Sequence, residues 1–246
     1  NVAAKRVERT MLDPTPRVLV LPGIGLVAAG ATRRDARIAA DIAEHTVRTK
    51  IWAASIGRYE GLSEGELFDM EYWSLEQAKL RREAPAKLEG QVALVTGGAG
   101  AIGVGVAREL HRAGANVVLV DVDEARLAAA TERIGDERCE GVRCDVTDEG
   151  DVRDAFLHAA ESFGGVDIAV VNAGVARVGA LADLELEDFE AAVDVNLKGA
   201  FLTLREALFQ LRRQATGGNI VLISTKNVFA PGIEFGAYSA SKAGAH

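Results

Sequence analysis

Two cysteines, four histidines and five prolines in 246 residues leave little room for a disulfide framework or a proline-rich tract. Cys139 and Cys144 flank a predicted strand, and their spacing reads as reduced thiols near a core rather than as a disulfide or metal pair. No apolar run approaches the roughly 18 residues that span a bilayer, and nothing at the start has the layout of a signal peptide. No internal repeat or low-complexity tract is present. Basic charge is also short. Residues 1–90 carry 14 Lys and Arg against 13 Asp and Glu, whereas residues 91–246 carry 14 against 23. An acidic second part excludes the basic footprint of a nucleic-acid binder. A cytoplasmic protein with no nucleic-acid or membrane partner is expected.

What is present is ordinary in bulk and specific in detail. Hydrophobic content of 48% and charged content of 26% suit a globular chain. Two segments meet near residues 83–90, where Glu83-Ala84-Pro85-Ala86-Lys87-Leu88-Glu89-Gly90 has linker character. Before it, Arg17-Val18-Leu19-Val20-Leu21 reads as one short buried strand closed by Pro22-Gly23-Ile24-Gly25. Thr32 with Asp35 marks a helix start, the helix running through Ile38 and Ile42 to about residue 53. A second helix is expected over 74–82, after the aromatic-rich stretch 68–73. So few elements make a poor independent core. The charged opening Lys5-Arg6-Val7-Glu8-Arg9, begun by Asn1 rather than Met, suggests a piece of a longer polypeptide.

From residue 91 strand and helix patterns alternate, as in βαβ units around a parallel sheet. Short β-branched runs at 92–95, 117–120, 168–171 and 220–223, with a weaker one near 141–144, predict five strands. A doubly wound sheet with right-handed crossovers orders them 3-2-1-4-5. The fold class is therefore α/β, with a Rossmann-type sheet lacking a sixth strand and preceded by the α/β tail of another domain.

Gly98-x-Gly100-x-x-Gly103 follows the first of these strands and opens a helix. Glycines there let the backbone approach a pyrophosphate, and the helix N-terminus supplies N–H groups and positive dipole. Asp121 closes the second strand, where a carboxylate accepts hydrogen bonds from an adenosine ribose and repels a 2′-phosphate, favouring NAD over NADP. Tyr238 and Lys242 stand four apart, on one face of a predicted helix.

These residues resemble the short-chain dehydrogenase/reductase family over about 88–246. The family's TGxxxGxG turn maps onto Thr96-Gly97-Gly98-Ala99-Gly100-Ala101-Ile102-Gly103, with Ala101 in place of its middle glycine. A methyl there crowds the cofactor if the backbone needs positive φ. The resemblance implies that Gly97, Gly98, Gly100, Ala101, Ile102 and Gly103 hold the cofactor. It also implies that Asp145-Val146 flank the adenine and that Asn172-Ala173-Gly174 shape the cleft. Asn196, Thr225, Tyr238 and Lys242 then form the catalytic tetrad, Thr225 replacing the family's serine by register and Ser224 being its neighbour.

A free tyrosine, with pKa near 10, is a poor base at neutral pH. A lysine ammonium and an oxidised nicotinamide alongside favour the phenolate. Tyr238 then takes the alcohol proton as hydride leaves for NAD. The resemblance implies that Tyr238 and Lys242 also contact the cofactor, Lys242 at the nicotinamide ribose, that Thr225 orients the substrate oxygen, and that Asn196 positions a water.

The first segment is similar to the junction of bifunctional aldolase/short-chain dehydrogenases of the rhamnulose-1-phosphate aldolase type. The residues that carry this are Asp13-Pro14-Thr15-Pro16-Arg17-Val18, Pro22-Gly23-Ile24-Gly25, the run from Glu71 to Leu80, and Thr225-Lys226-Asn227. The likeness implies that residues 1–85 are the tail of a class II aldolase whose zinc-binding histidines lie upstream, and that residues 86–246 are a truncated dehydrogenase. No metal site is expected within the chain, and His45 reads as a structural helix residue, having no partner at ligand spacing. The substrate class is a small alcohol, aldehyde or sugar-derived compound, and the full-length protein is expected to be a homo-oligomer. Two other readings stay open at this point: a non-catalytic nucleotide-binding module, and a stand-alone sugar-alcohol dehydrogenase whose first segment serves assembly.

Overall fold

The computed structural model describes residues 14–30, 32–73 and 86–246. These fall into two units, one within Asn1–Pro85 and one spanning Ala86–His246. The helix expected over 74–82 and the charged stretch Lys5–Arg9 lie outside the described residues.

The first unit holds a β-hairpin, β1 (Val18–Leu21) and β2 (Gly25–Ala28), with Val18 opposite Ala28 and Leu21 opposite Gly25. Pro22 sets the first turn position, Gly23 takes φ +78° at the second, and the Ile24 N–H closes onto the Leu21 carbonyl at 3.1 Å. The single buried strand expected here is thus corrected to a two-stranded ribbon. Its side chains are not buried either: Leu19 is 49% and Val20 66% exposed. Helix α1 (Arg33–Ile56) contacts both strands, yet no described residue of the unit reaches full burial. Thr32 Oγ1 accepts the Asp35 N–H at 3.1 Å and so caps α1 as anticipated. Helix α2 (Glu64–Glu71) opens on a full capping box, the Ser63 N–H donating to Glu66 Oε2 at 2.8 Å and the Glu66 N–H to Ser63 Oγ.

The second unit is a parallel sheet of β3 (Val92–Thr96), β4 (Asn116–Asp121), β5 (Cys139–Arg143), β6 (Ile168–Val171) and β7 (Asn219–Leu222), ordered β5-β4-β3-β6-β7. This is the doubly wound order that the sequence implies. Alternation along the strands divides the core. Leu94, Val118 and Val120 face one layer, with Phe156 of α5 (Glu149–Phe163) and Leu202 of α7 (Gly199–Gln214). Ala93, Val95, Val117 and Leu119 face the other, with Ala107 of α3 (Ala101–Arg112) and Leu127 of α4 (Glu124–Ile134). All five residues of β3 are buried, as a central strand covered on both faces requires. Helix α6 (Leu186–Val193) runs through a π-helical turn, Asp194–Lys198, into α7. Helix α8 (Gly236–Ala245) follows β7 and touches α6 and the π turn. The carboxyl ends of β3, β4 and β6 therefore open toward the loops that carry the candidate site.

Candidate nucleotide cleft and active site

Chain reversal after β3 depends on Gly97, which takes φ +60° with no room for a side chain. A Cβ on it would stand 2.8 Å from Ala173 Cα. Gly98 donates its N–H to the Val120 carbonyl at 2.9 Å and is backed by Leu119, so it supports the turn from behind. Gly103, on the first turn of α3, lies against the Gly97 carbonyl. Gly100 caps α3 without a side-chain hydrogen bond, so no side chain occupies the first-turn N–H groups. Ala101 opens that helix without positive φ, so its methyl brings no backbone strain.

Asp121 ends β4 with both carboxylate oxygens engaged: Oδ2 accepts the Ala99 N–H at 3.0 Å and Oδ1 the Asp123 N–H at 3.2 Å. Each oxygen retains a second acceptor site for a hydroxyl. Asp145 turns the chain after β5, its Oδ1 accepting from the Thr147 N–H and Oγ1 at 2.9 and 2.8 Å. The adjoining Val146 fills the space above Gly199.

Thr96 is the junction between β3 and β6. Its hydroxyl accepts the N–H groups of Asn172 and Ala173 at 3.0 and 3.1 Å and donates to the Val170 carbonyl at 3.3 Å. Asn172 Nδ2 answers by donating to the carbonyls of Thr96 and Gly97 at 2.9 and 3.1 Å. A cleft of about 580 Å³ results, walled by Gly97, Gly100–Gly103, Asp121, Asp145, Val146 and Asn172–Gly174. A glycine cradle that a Cβ would fill, an uncapped helix start and a strand-end carboxylate are the donor and acceptor set of a dinucleotide site.

Three predicted residues meet at Gly174, on the cleft wall. A Cβ on Gly174 would lie 3.0 Å from Asn196 Oδ1 and 3.2 Å from Lys242 Nζ. Asn196 is fully buried in the π turn, a local widening of the helix that recurs at functional sites. It grips the Val175 peptide at both ends, accepting its N–H at 2.8 Å and donating to its carbonyl at 2.9 Å, and also donates to Ser241 Oγ at 3.0 Å. Lys242 is 6% exposed, and burial lowers its pKa from the ordinary lysine value. Its Nζ donates to the Ile223 carbonyl at 3.3 Å.

Tyr238, one turn before Lys242 on α8, is half-buried with its ring edge-on to Phe235 at 6.0 Å. Thr225 is half-buried and caps the 3₁₀ turn Lys226–Val228, its Oγ1 accepting the Asn227 N–H at 3.3 Å. Ser224 is exposed, with Oγ 3.5 Å from His246 Nδ1. Asn196, Thr225, Tyr238 and Lys242 are not part of the cleft wall itself; Asn196 and Lys242 meet it at Gly174.

Sequence reasoning missed Thr96 as a hub, Ser241 as the partner of Asn196, and Arg126, which lines the cleft and donates from Nη2 to the Ala99 carbonyl at 3.3 Å. Helical spacing held a usable signal for Ser241, three residues past Tyr238 on α8; Arg126 is unmarked by any motif. Both cysteines are free and buried. Burial, followed by Asp136, pushes the Cys139 thiol up to about 11; burial, followed by Asp151 and Asp145, pushes Cys144 up to about 12. Neither is a nucleophile at neutral pH.

Comparison with known proteins matches residues 91–246 to the short chain dehydrogenase model and residues 1–80 to the second domain of class II aldolases. The uncharacterized oxidoreductase YuxG of Bacillus subtilis (strain 168) is 34% identical over 95% of this chain, which spans 34% of that relative. The mitochondrial (-)-isopiperitenol/(-)-carveol dehydrogenase of Mentha piperita is 37% identical over 64% of this chain and 61% of its own length. Among solved structures, a short-chain type dehydrogenase/reductase from Mycobacterium marinum superposes with a TM-score of 0.62 at 33% identity, covering 65% of this chain and 66% of that one. A short chain dehydrogenase from Mycobacterium smegmatis gives 0.63 at 32% identity, over 67% and 70%.

Proposed function

This chain belongs to the short-chain dehydrogenase family, and we propose that residues 86–246 work as an NAD-dependent oxidoreductase on a small alcohol, aldehyde or sugar-derived substrate. The observation that carries the reading is the meeting of Asn196 and Lys242 at Gly174, on the wall of the glycine-lined cleft. When bound, the nicotinamide supplies the hydride acceptor for an alcohol or the donor for a carbonyl. The turn 97–103 holds the pyrophosphate, and Asp121 holds the adenosine ribose and disfavours a 2′-phosphate. Asp145 and Val146 border the adenine.

Lys242 is kept in place by the Ile223 carbonyl and holds the nicotinamide ribose. Tyr238 gives or takes the proton at the substrate oxygen, Thr225 orients that oxygen, and Asn196 fixes the Val175 backbone while positioning a water for proton exchange. The position of Tyr238 one turn before the buried Lys242 on α8 supports this.

We further infer that residues 1–85 are the tail of a class II aldolase domain in a bifunctional, homo-oligomeric aldolase/dehydrogenase of carbohydrate metabolism. The aldolase match over 1–80 and the 95% coverage by a longer oxidoreductase support it. So do the exposed apolar side chains of α1, among them Ile42 and Ile51 at 62% and 63% exposure.

The test pairs binding with turnover. NADH fluorescence titration should give tighter binding than NADPH, and NAD reduction should be sought across a panel of small polyols and hydroxy-aldehydes. Tyr238→Phe should cut kcat by about 10²–10⁴-fold while leaving NADH binding unchanged. Turnover surviving in that variant would overturn the assignment of Tyr238.

A further inference from the structure

Ser241 stands one residue before Lys242 on α8 and is only 1% exposed. A buried serine inside a helix can satisfy itself by bonding back to the preceding turn, and Ser241 does so, its hydroxyl donating to the Tyr238 carbonyl at 3.0 Å. That commits its single hydrogen. The oxygen is then left to accept, and it accepts from Asn196 Nδ2, on the π turn, at 3.0 Å.

More than one side chain is fixed by this. Asn196 Nδ2 donates both to Ser241 and to the Val175 carbonyl at 2.9 Å, while Oδ1 accepts the Val175 N–H at 2.8 Å. Turning the amide over would set Oδ1 against the Val175 carbonyl and the NH₂ group against the Val175 N–H. A continuous line of hydrogen bonds thus runs from the Tyr238 backbone through Ser241 and Asn196 to Val175, which follows Gly174 on the cleft wall. Lys242 reaches the same place, since a Cβ on Gly174 would lie 3.2 Å from its Nζ.

We propose that Ser241 is a positioning residue for the nicotinamide half of the site. Acting through Asn196, it holds the 174–175 wall and the Tyr238–Lys242 turn of α8 in one register. This role rests on the dehydrogenase reading. The adenosine half has supports of its own, the Ala99 N–H on Asp121 and the Gly98 N–H on the Val120 carbonyl, and lies outside that line.

The test compares NADH with ADP, which carries only the adenosine and pyrophosphate part. Ser241→Ala deletes the oxygen without enlarging the residue. It should weaken NADH in fluorescence titration by about five- to tenfold, on the scale of one hydrogen bond, and leave ADP in calorimetry within about twofold of wild type. Ser241→Thr should restore NADH affinity, because a helical threonine hydroxyl reaches the same carbonyl in the preceding turn. If Ser241→Ala does not melt cooperatively, Ser241→Cys replaces it, its thiol being a weak donor and acceptor. Unchanged NADH affinity in Ser241→Ala would overturn the proposal. So would equal weakening of NADH and ADP, which marks a general loosening of the fold, and so would an equal loss in Ser241→Thr. Wild-type protein that binds ADP without NADH, or neither, refutes the dehydrogenase reading itself, and the role of Ser241 falls with it.

Discussion

Replacing Gly97 by alanine separates two penalties that usually travel together. The backbone there has φ +60°, and an added Cβ would meet Ala173 Cα at 2.8 Å, Asn172 Nδ2 at 3.0 Å and the Ala173 nitrogen at 3.1 Å. Left-handed backbone costs alanine about 1–2 kcal/mol. The clash is with main chain at the end of β6, which cannot swing aside, so forced repacking should add about 1–3 kcal/mol. Gly164 is the control. It also sits at positive φ, +93°, but a Cβ there meets nothing within 4 Å. Gly164→Ala should therefore lose only the conformational part, about 1 kcal/mol. In urea unfolding followed by circular dichroism, Gly97→Ala should lose about 3 kcal/mol, with an NADH affinity at least about tenfold weaker. Gly164→Ala should leave NADH affinity unchanged. Equal stability losses in the two variants would refute the steric argument. Wild-type NADH affinity in Gly97→Ala would refute the assignment of the turn.

Three other perturbations have defined outcomes. Asn196→Leu removes three hydrogen bonds and strands both polar groups of the Val175 peptide, so it should cost about 3 kcal/mol in urea unfolding; a loss below about 1 kcal/mol would show that water takes over. At Asp136 burial pushes the carboxyl up, but hydrogen bonds from His111 and from the Arg138 backbone and side chain outweigh it and hold the pKa at about 2, below 3.8. A depressed folded pKa means stability that is present above about 3.8 and lost as pH falls through about 2. Since the Asp136 side chain is 47% exposed, screening reduces the contribution to about 1 kcal/mol, and Asp136→Asn should flatten the acid limb of stability by that amount. Ellman's reagent at pH 8 should label Cys139 and Cys144 only at the rate of unfolding, because both thiols are buried and held protonated; rapid labelling of the folded chain would contradict that.

The centre of the sheet was legible because β3, β4 and β6 are short apolar, β-branched runs buried on both faces, whereas β5, interrupted by Glu140 and Gly141, gave only a weak signal. The hairpin was less so. Gly25-Leu26-Val27-Ala28 is brief and begins with glycine, and Pro22-Gly23 reads equally well as the end of a strand and as the turn of a ribbon. Burial of Val20 was misjudged because a run of apolar residues reports propensity, not whether a covering layer exists. Helix α2 carried a readable mark in Ser63 and Glu66, three apart, that the aromatic stretch beside it obscured. For the candidate site, glycines and strand-end carboxylates show in the sequence because the chemistry restricts residue type. The partnership of Thr96 with Asn172, 76 residues away, is a property of strand neighbours and has no local signature. Arg126 is invisible for the same reason, since exposed arginines on helices are common.

The hydroxyl of Thr96 touches three backbone groups of β6 and the chain just after it. One rotor thus ties the floor of the cleft, joining the ends of two neighbouring strands. The stretch after Gly174 and the approach to α8 are joined in turn by the Gly179 N–H on the Glu234 carbonyl at 2.9 Å. Glu234 holds that latch at φ +68°, an uncomfortable angle for a residue with a side chain. A floor pinned by a single hydroxyl concentrates its cohesion in one residue, whose loss would leave three backbone groups without that partner at once.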